Sequence, residues 1–311
     1  MMLLIYGDLM QYYPLFIDTS KTNILIIGAG QVASRKLTLL ARTQAQITVI
    51  APQISTEIET LSSTGRIQLY QREVCLTDID PHYQLIYIAT SNTALQGQLT
   101  KQANSLGIWV NVVDAPLLCD FITPAIIDRN KLVVAISTAG VAPVFASSLR
   151  AQIEAMLDSK LSLLLDFVAQ KRAEIQAYYQ SVSERRAFWR YFFKQNGQQF
   201  NDATLALFEQ AKIEQSETSQ IYIIDTLRPV NSLPIGILPV LQSIDQIVFD
   251  VNTAPAILEF VRRDAHRYDI SELASVSLLD GMTLILAQKD QIPKLTNQYP
   301  QAALLAEQFQ Y

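Results

Sequence analysis

The amino-acid sequence predicts an α/β fold that opens with a parallel sheet covered by helices on both faces. Three observations support this prediction. Short apolar runs alternate with helical patterns over residues 24–113, a glycine-rich turn separates the first run from the first helix, and the pattern changes after Asp114. Strands that alternate with helices form parallel sheets, because each connection must cross back over the sheet.

The glycine-rich turn is the most informative local feature. Residues 24–27 are apolar, as in a buried strand, and Gly28, Gly30 and Ala33 follow in a G-x-G-x-x-A pattern that leads into a helix. Gly28 would permit a tight turn, Gly30 would leave room for a pyrophosphate, and Ala33 would let the helix pack closely. We therefore predict a Rossmann-type dinucleotide-binding unit. The alternative is a glycine turn in another kind of α/β domain.

The predicted cofactor contacts are the residues of this turn and of the helix start. They are Gly28, Ala29, Gly30, Gln31, Val32 and Ala33. Free N–H groups at the helix N-terminus would face the phosphates. In such folds a carboxylate after the second strand binds the ribose, whereas this chain has only Ala51, Pro52 and Gln53 there. The residues themselves therefore leave the choice between NAD and NADP open.

The other elements of the first part follow in order. An apolar run at residues 14–17 is a candidate extra strand, and the helix after the glycine turn should end near Arg42. Further strands are predicted at 47–50, 67–70, 85–89 and 108–113, with helices at 55–61 and from 90–92 onward.

Beyond Asp114 the pattern indicates a different organisation. Runs at 121–127 and 132–136 flank a short polar link, which suits an antiparallel hairpin. A long helical region then begins at residues 142–143, and we interpret its aromatic residues at 188–193 as core or dimer packing.

The last third of the chain begins with a polar stretch. Residues 214–220 have the composition of a linker, and residues 221–224 start a second α/β unit.

Composition excludes several functional classes. The formal net charge of -5 argues against a general nucleic-acid binder. No apolar run approaches the roughly 18 residues of a membrane span, and residues 1–10 lack the basic start of a signal peptide. Cys75, Cys119, His82 and His266 show no metal-binding spacing, so no metal site is expected. Two unpatterned cysteines suit a reducing cytoplasm.

Asp114 is the candidate for chemistry. It directly follows the apolar strand predicted at 108–113. Ligand crevices of open α/β sheets lie outside the carboxyl ends of the strands, so this carboxylate should lie near a bound nicotinamide. The alternative is an ordinary turn residue, because Asp is common in turns before a sequence such as Ala115-Pro116.

Several stretches together resemble a known family. They are residues 12–16, 28–36, 111–116, 121–129, 136–143 and 184–189, in this order within the first 215 residues. The chain resembles the precorrin-2 dehydrogenase/sirohydrochlorin ferrochelatase family, the N-terminal part of bacterial sirohaem synthase. The resemblance implies NAD-dependent oxidation of precorrin-2 to sirohydrochlorin, often followed by insertion of ferrous iron to give sirohaem.

The resemblance also implies site residues. The family's catalytic aspartate corresponds to Asp114, whose carboxylate would accept a proton. Thr90 and Asn111 join the cofactor contacts, and the cofactor is NAD. The substrate carries many carboxylates, so basic and hydroxyl groups are expected near it. The substrate-binding candidates are Arg35, Lys36, Arg129, Ser137 and Thr138, with Lys131 as a further cation. For the charged candidates the alternative is an ordinary solvated surface position.

Further expectations follow from the resemblance. They are a homodimer joined through the helical region, a tetrapyrrole substrate, ferrous iron as a transient substrate, and neither nucleic acid nor membrane as a partner. Some positions depart from the family pattern. Ala29 replaces the middle glycine of the turn, Ser91 replaces an acidic residue after Thr90, and Ala139 and Ala142 replace a glycine and a serine near the expected substrate cleft.

The C-terminal part is similar to the opening of the methyltransferase half of sirohaem synthase. Residues 248–250 and 257–265 carry this likeness, yet the loop at 225–230 contains no glycine. We predict a truncated, degenerate uroporphyrinogen-III methyltransferase-like tail that does not transfer methyl groups. The predicted domains are 1–115 (NAD-binding), 116–150 (dimerisation strands and substrate cleft), 151–215 (helical) and 216–311 (degenerate methyltransferase-like).

Three functions compete at this point. The first is a dehydrogenase, with ferrochelatase as a companion activity, which Asp114 beside an intact glycine turn favours. The second is a non-catalytic module that binds NAD or a tetrapyrrole. The third is a methyltransferase, against which the missing glycine loop argues.

Overall fold

The structure is a computed structural model that describes residues 10–214, 220–250, 256–276 and 281–305. These residues form two compact units. The first unit holds residues 10–128 and 133–156, and the second holds residues 129–132 and the described residues from 157 onward.

The first unit contains a five-stranded parallel sheet. Its strands are β1 (Asn23–Ile27), β2 (Gln46–Ile50), β3 (Gln68–Tyr70), β4 (Leu85–Ile88) and β5 (Trp109–Val112), in the order β3-β2-β1-β4-β5. Every neighbouring pair runs parallel. The predicted Rossmann-type sheet is therefore confirmed.

Helices cover both faces of this sheet. They are α1 (Gln31–Leu40), α2 (Thr56–Ser63) and α3 (Thr93–Ser105). Successive residues of β1 face opposite sides, so Ile24 and Ile26 pack with Leu37 of α1, whereas Leu25 packs with Leu99 of α3. The strand order reverses between β1 and β4, which places the ligand crevice at the carboxyl ends of these two strands.

Two predicted strands differ from the observed ones. The prediction of a strand at residues 14–17 is wrong: the structure assigns no strand there, and Phe16 is 73% exposed. Pro14 has no N–H to give a ladder, and the apolar side chains that suggested burial face solvent. The run predicted at 121–127 becomes a strand only at Ala125, because Asp120 instead pairs with the free edge of β5.

A hairpin and a helix complete this part of the chain. β6 (Ala125–Arg129) and β7 (Leu132–Ile136) form a two-stranded sheet, and a two-residue turn joins them. Only antiparallel strands can be joined by so short a link, as predicted. The helix α4 (Pro143–Met156) follows.

The second unit begins with three helices around an aromatic core. They are α5 (Leu161–Tyr178), α6 (Val182–Asn196) and α7 (Thr204–Ile213). Phe188, Phe192 and Phe208 are fully buried together. The core interpretation of the aromatic run is therefore confirmed for these rings.

The second unit also contains a parallel sheet of its own. Its strands are β8 (Gln220–Asp225), β9 (Gln246–Phe249), β10 (His266–Asp269), β11 (Met282–Ala287) and β12 (Ala303–Leu304), in the order β10-β9-β11-β8-β12. The short helices α8 (Leu238–Leu241) and α9 (Ile292–Gln298) lie between strands. The second α/β unit is thus present, while most of the predicted linker, residues 215–219, lies outside the described residues.

A buried carboxylate ties α6 to this sheet. Asp245 is 4% exposed and accepts hydrogen bonds from Arg190 of α6 at 2.8 and 2.9 Å and from Arg262 at 3.2 Å. The backbone N–H of Met282 donates to the same carboxylate at 3.0 Å. Burial of this charge is therefore compensated by two guanidinium groups and a backbone donor.

Candidate active site

The glycine turn joins the ends of two strands. Gly28 has φ +100, and a Cβ there would lie 2.4 Å from the carbonyl oxygen of Ala89, which follows β4. Thr90 is the next residue, and Gln96 of α3 donates a hydrogen bond to its carbonyl at 2.7 Å. Gly28 therefore allows β1 to turn directly against the start of the β4–α3 connection.

Gly30 has a different role from Gly28. It is the N-cap of α1, has φ -75, and a Cβ there would meet no atom within 4 Å. No side chain caps the helix, so the N–H groups of Gln31 and Val32 face the turn without intrahelical partners. Ala33 is buried against the first core. This open, donor-rich turn is a cradle of the shape that a pyrophosphate requires.

A pocket of about 610 Å³ opens beside this turn. It is lined by Ala29, Gly30, Gln31, Ser34, Arg35, Thr38, Gln53, Ile54, Ser55 and Glu57. In a dinucleotide-binding unit the adenosine half of the cofactor occupies this region, between the first helix and the end of the second strand. The cradle and the polar lining therefore fit a nicotinamide dinucleotide.

The sequence did not predict the polar residues that line this pocket outside the G-x-G-x-x-A turn. Ser34 and Thr38 lie one turn apart on α1, and Gln53, Ser55 and Glu57 follow β2. The spacing of Ser34 and Thr38 could have signalled a shared helix face. Arg35, predicted as a substrate contact, also lies in this pocket.

Asp114 stands at the same end of the sheet. The N–H of Val113 donates to the carbonyl of Ile88 at 2.9 Å, which extends the pairing of β5 with β4 to the residue before Asp114. The backbone of Asp114 has φ 57, a left-handed conformation that Asp tolerates better than most residues. In the sheet, β4 lies between β5, which leads into the turn at Asp114, and β1, which leads into the glycine turn. At ordinary strand spacing the two turns are therefore about 10 Å apart.

The segment after Asp114 folds back along the edge of β5. The N–H of Asp120 donates to the carbonyl of Val110 at 2.8 Å, and the N–H of Val110 donates to the Asp120 carboxylate at 2.8 Å. The thiol of Cys119 lies 3.2 Å from the N–H of Val112. The backbone N–H of Asp120 and the side chains of Asp120 and Cys119 thus occupy hydrogen-bonding positions that a neighbouring strand would fill. These bonds hold the loop that carries Asp114.

Asn111 is part of this arrangement. Its side chain is buried and donates to the carbonyl of Phe121 at 2.9 Å. Asn111, which the sequence predicts as a cofactor contact, therefore helps to hold the loop that carries Asp114. Its side-chain amide is hydrogen-bonded within the chain.

Lys36 lies on the other side of α1 from the pocket residues. Its ammonium is 3.3 Å from the hydroxyl of Thr123 and 5.1 Å from the centre of the Tyr87 ring. Burial lowers the pKa of Lys36 and raises the pKa of Tyr87. In the described part of the chain no carboxylate pairs with this lysine.

The predicted hydroxyl contacts shape the turn before α4. The Ser137 hydroxyl accepts from the N–H of Ala139 at 3.0 Å, and the Thr138 hydroxyl accepts from the N–H of Ala142 at 3.2 Å. Ala139 has φ 54, in the region that favours glycine, which is the residue the family pattern has there.

The remaining predicted cations belong to the second unit. Lys131 pairs with Asp166 of α5 at 2.6 Å, and the carbonyl of Arg129 accepts from the hydroxyl of Ser162 at 3.1 Å. Lys131 is thus a partnered surface residue within its own unit.

Within the residues that the structure describes, no group of three His, Cys, Asp or Glu side chains could hold a metal ion. No helix in these ranges is long and apolar enough to cross a membrane.

The fold and the glycine turn define an NAD(P)-binding α/β protein. A family model described as "Putative NAD(P)-binding" matches residues 15–125, and a model described as "Sirohaem synthase dimerisation region" matches residues 160–203. The two matches support an assignment to the N-terminal part of siroheme synthase.

Curated relatives agree with this assignment. The chain is 35% identical to the siroheme synthase of Pseudoalteromonas atlantica over 89% of its own length and 62% of the relative's. It is 34% identical to siroheme synthase 2 of Yersinia pestis over 85% of its own length and 57% of the relative's. The chain thus spans about three fifths of the length of these relatives.

A solved structure shares the fold. SirC, a precorrin-2 dehydrogenase, superposes with a TM-score of 0.52 over 65% of this chain and 100% of that one, at 21% identity.

Proposed function

We propose that this protein oxidises precorrin-2 to sirohydrochlorin with NAD. The observation that carries the proposal is the position of Asp114, at the carboxyl end of β5 and one strand away from the glycine turn. Similarity to siroheme synthases supplies the substrate class.

Two parts of the site would take part in the oxidation, namely the glycine turn and Asp114. The oxidation removes a hydride and a proton from the macrocycle. The N–H groups of Gln31 and Val32 would hold the pyrophosphate of NAD, which would supply the hydride acceptor. The Asp114 carboxylate takes the proton as a general base. Its loop is fixed by Asp120 and Asn111, so the carboxylate needs little reordering before the reaction.

The charge of the substrate suggests a role for Lys36. A tetrapyrrole with many carboxylates would be attracted to this partly buried ammonium, which contacts the Thr123 hydroxyl and the Tyr87 ring. The hydroxyls of Ser137 and Thr138 would form the turn beside the substrate.

Ferrous iron insertion is the second activity that we propose for the same site. Metal insertion displaces two pyrrole protons, and Asp114 would assist by accepting one proton at a time and releasing it to solvent. Iron is here a substrate, which needs no resident cage.

Assembly and location follow from the same family. We propose a homodimer, because the dimerisation-region model matches residues 160–203 and because Val144 and Phe145 of α4 are 82% and 61% exposed. We place the reaction in the cytoplasm, where the cofactor is abundant and thiols such as Cys119 stay reduced.

The tail is proposed to be free of methyltransferase activity. At the turn after β8, the N–H of Thr226 donates to Ala287, and those of Leu227 and Arg228 donate to Asp225. Pro229 has no N–H. The backbone donors of residues 226–228 are therefore already used within the chain, and Pro229 adds none.

An anaerobic absorbance assay tests the proposal. The purified chain is mixed with precorrin-2 and NAD, and ferrous or cobaltous ion is added afterwards. We expect conversion to the sirohydrochlorin spectrum, then to the metallated spectrum. Binding of NAD and precorrin-2 without conversion would instead indicate the non-catalytic binding module. Conversion without metallation would remove the second activity only.

A further inference from the structure

Residues 51–53, which follow β2, include no carboxylate. The pocket beside the glycine turn nevertheless contains one, the side chain of Glu57. β2 ends at Ile50, and the buried Ala51 that follows donates its N–H to the carbonyl of Tyr70 at 3.2 Å. The chain then runs through residues 52–55 into α2, whose second residue is Glu57. Glu57 is an exposed residue and lines the pocket.

Glu57 shares the pocket lining with the polar residues Ser34 and Ser55. The hydroxyls of Ser34, on α1, and Ser55, before α2, are 3.3 Å apart. A hydrogen bond from the Ser55 side chain to Glu57 lowers the pKa of this carboxyl, so Glu57 is ionised at neutral pH. The first turn of a helix also favours a negative charge.

From this geometry we infer that Glu57 is the residue that binds the adenosine ribose hydroxyls and selects NAD over NADP. The inference rests on the proposed function. An ionised carboxylate accepts hydrogen bonds from the two ribose hydroxyls of NAD, whereas it repels the 2′-phosphate of NADP. Gln53, which follows β2, could accept hydrogen bonds from the ribose, but it carries no charge to repel a 2′-phosphate.

Arg35 lines the same pocket and has the opposite charge. A guanidinium favours phosphates, so Arg35 limits the selectivity that Glu57 produces. The preference for NAD is therefore expected to be moderate, and removal of the Glu57 charge should leave Arg35 to favour NADP.

The test compares two substitutions on the same helix. Glu57→Gln removes the charge in the pocket, and Glu59→Gln removes an equal charge two residues away, at an exposed position outside the pocket lining. Dissociation constants for NADH and NADPH are measured by fluorescence titration of the full chain, with circular dichroism as the check on folding.

The wild type should bind NADH more tightly than NADPH. We expect Glu57→Gln to lower the ratio of the NADPH to the NADH dissociation constant about tenfold, as the loss of one nearby charge predicts. Glu59→Gln should leave that ratio within about twofold, because screened charges outside the pocket act weakly. A wild-type preference for NADPH, or equal ratios in the two variants, would overturn the inference while leaving the dehydrogenase in place. Binding of neither nucleotide would overturn the proposed function as well.

Discussion

A Cβ placed on Gly28 would lie 2.4 Å from the carbonyl oxygen of Ala89. The contact is with backbone, which cannot move aside as a flexible side chain would. Gly28 also has φ +100, where a side chain adds strain. The first glycine of the turn is therefore required by the fold, whereas Gly30 faces open space, as its proposed role at the cofactor pyrophosphate requires.

A pair of substitutions separates these two roles. Gly28→Ala should lower the free energy of unfolding by about 2 kcal/mol or more, because strain and overpacking add. Gly30→Asp should leave the melting temperature nearly unchanged and abolish NADH binding, because it puts an anion where the pyrophosphate lies. Thermal denaturation and NADH titration of both variants check this. A folded Gly30→Asp variant with wild-type NADH affinity would remove the cofactor assignment.

The edge of β5 gives a second prediction. Asp120→Ala leaves the N–H of Val110 without its carboxylate partner, which should cost about 1–3 kcal/mol of stability. Asp120→Asn keeps an acceptor oxygen and serves as the matched control, with a smaller expected loss. Chemical denaturation measures both. Equal stability of Asp120→Ala and wild type would show that the carboxylate does not hold the Asp114 loop.

The third prediction concerns Asp245, the buried carboxylate of the second unit. Asp245→Asn should destabilise the protein by about 2–3 kcal/mol, less than for a fully buried pair because Arg190 and Arg262 can still reach solvent. Asp264→Asn removes an exposed partner of the same Arg262 and should cost less than about 1 kcal/mol. Denaturation curves in which both variants lose the same stability would contradict the role assigned to Asp245.

The fourth prediction concerns the methyltransferase-like tail predicted at residues 216–311. Calorimetric titration with S-adenosylmethionine should show no binding at millimolar ligand, because residues 226–228 use their backbone donors within the chain and Pro229 has none. Saturable binding at micromolar ligand would overturn the reading of the tail as a remnant.

Local patterns predicted much of the fold. The alternation of apolar runs, the glycine turn and Asp114 after a strand are features of neighbouring residues, and they predicted the first sheet and the end of the sheet at which Asp114 lies. The failed prediction at residues 14–17 was also local: four apolar residues were interpreted as a strand, although burial depends on what packs against them.

Non-local contacts could not be predicted in this way. The side chain of Asp120 serves as a strand neighbour to Val110, ten positions earlier, and no periodicity signals such pairing. Glu57 enters the pocket only because the link after β2 and the start of α2 bring it there. The left-handed backbone of Asp114 likewise depends on the folded loop.

The substitution Asp114→Asn tests the central claim most directly. Asn tolerates the left-handed conformation at φ 57, so the loop and NADH binding should stay intact while the base is lost. We predict that the rate of precorrin-2 oxidation, followed by absorbance with NAD in excess, falls about 10²–10⁴-fold. A variant that oxidises precorrin-2 at the wild-type rate would show that Asp114 is only a turn residue and would contradict the proposed mechanism.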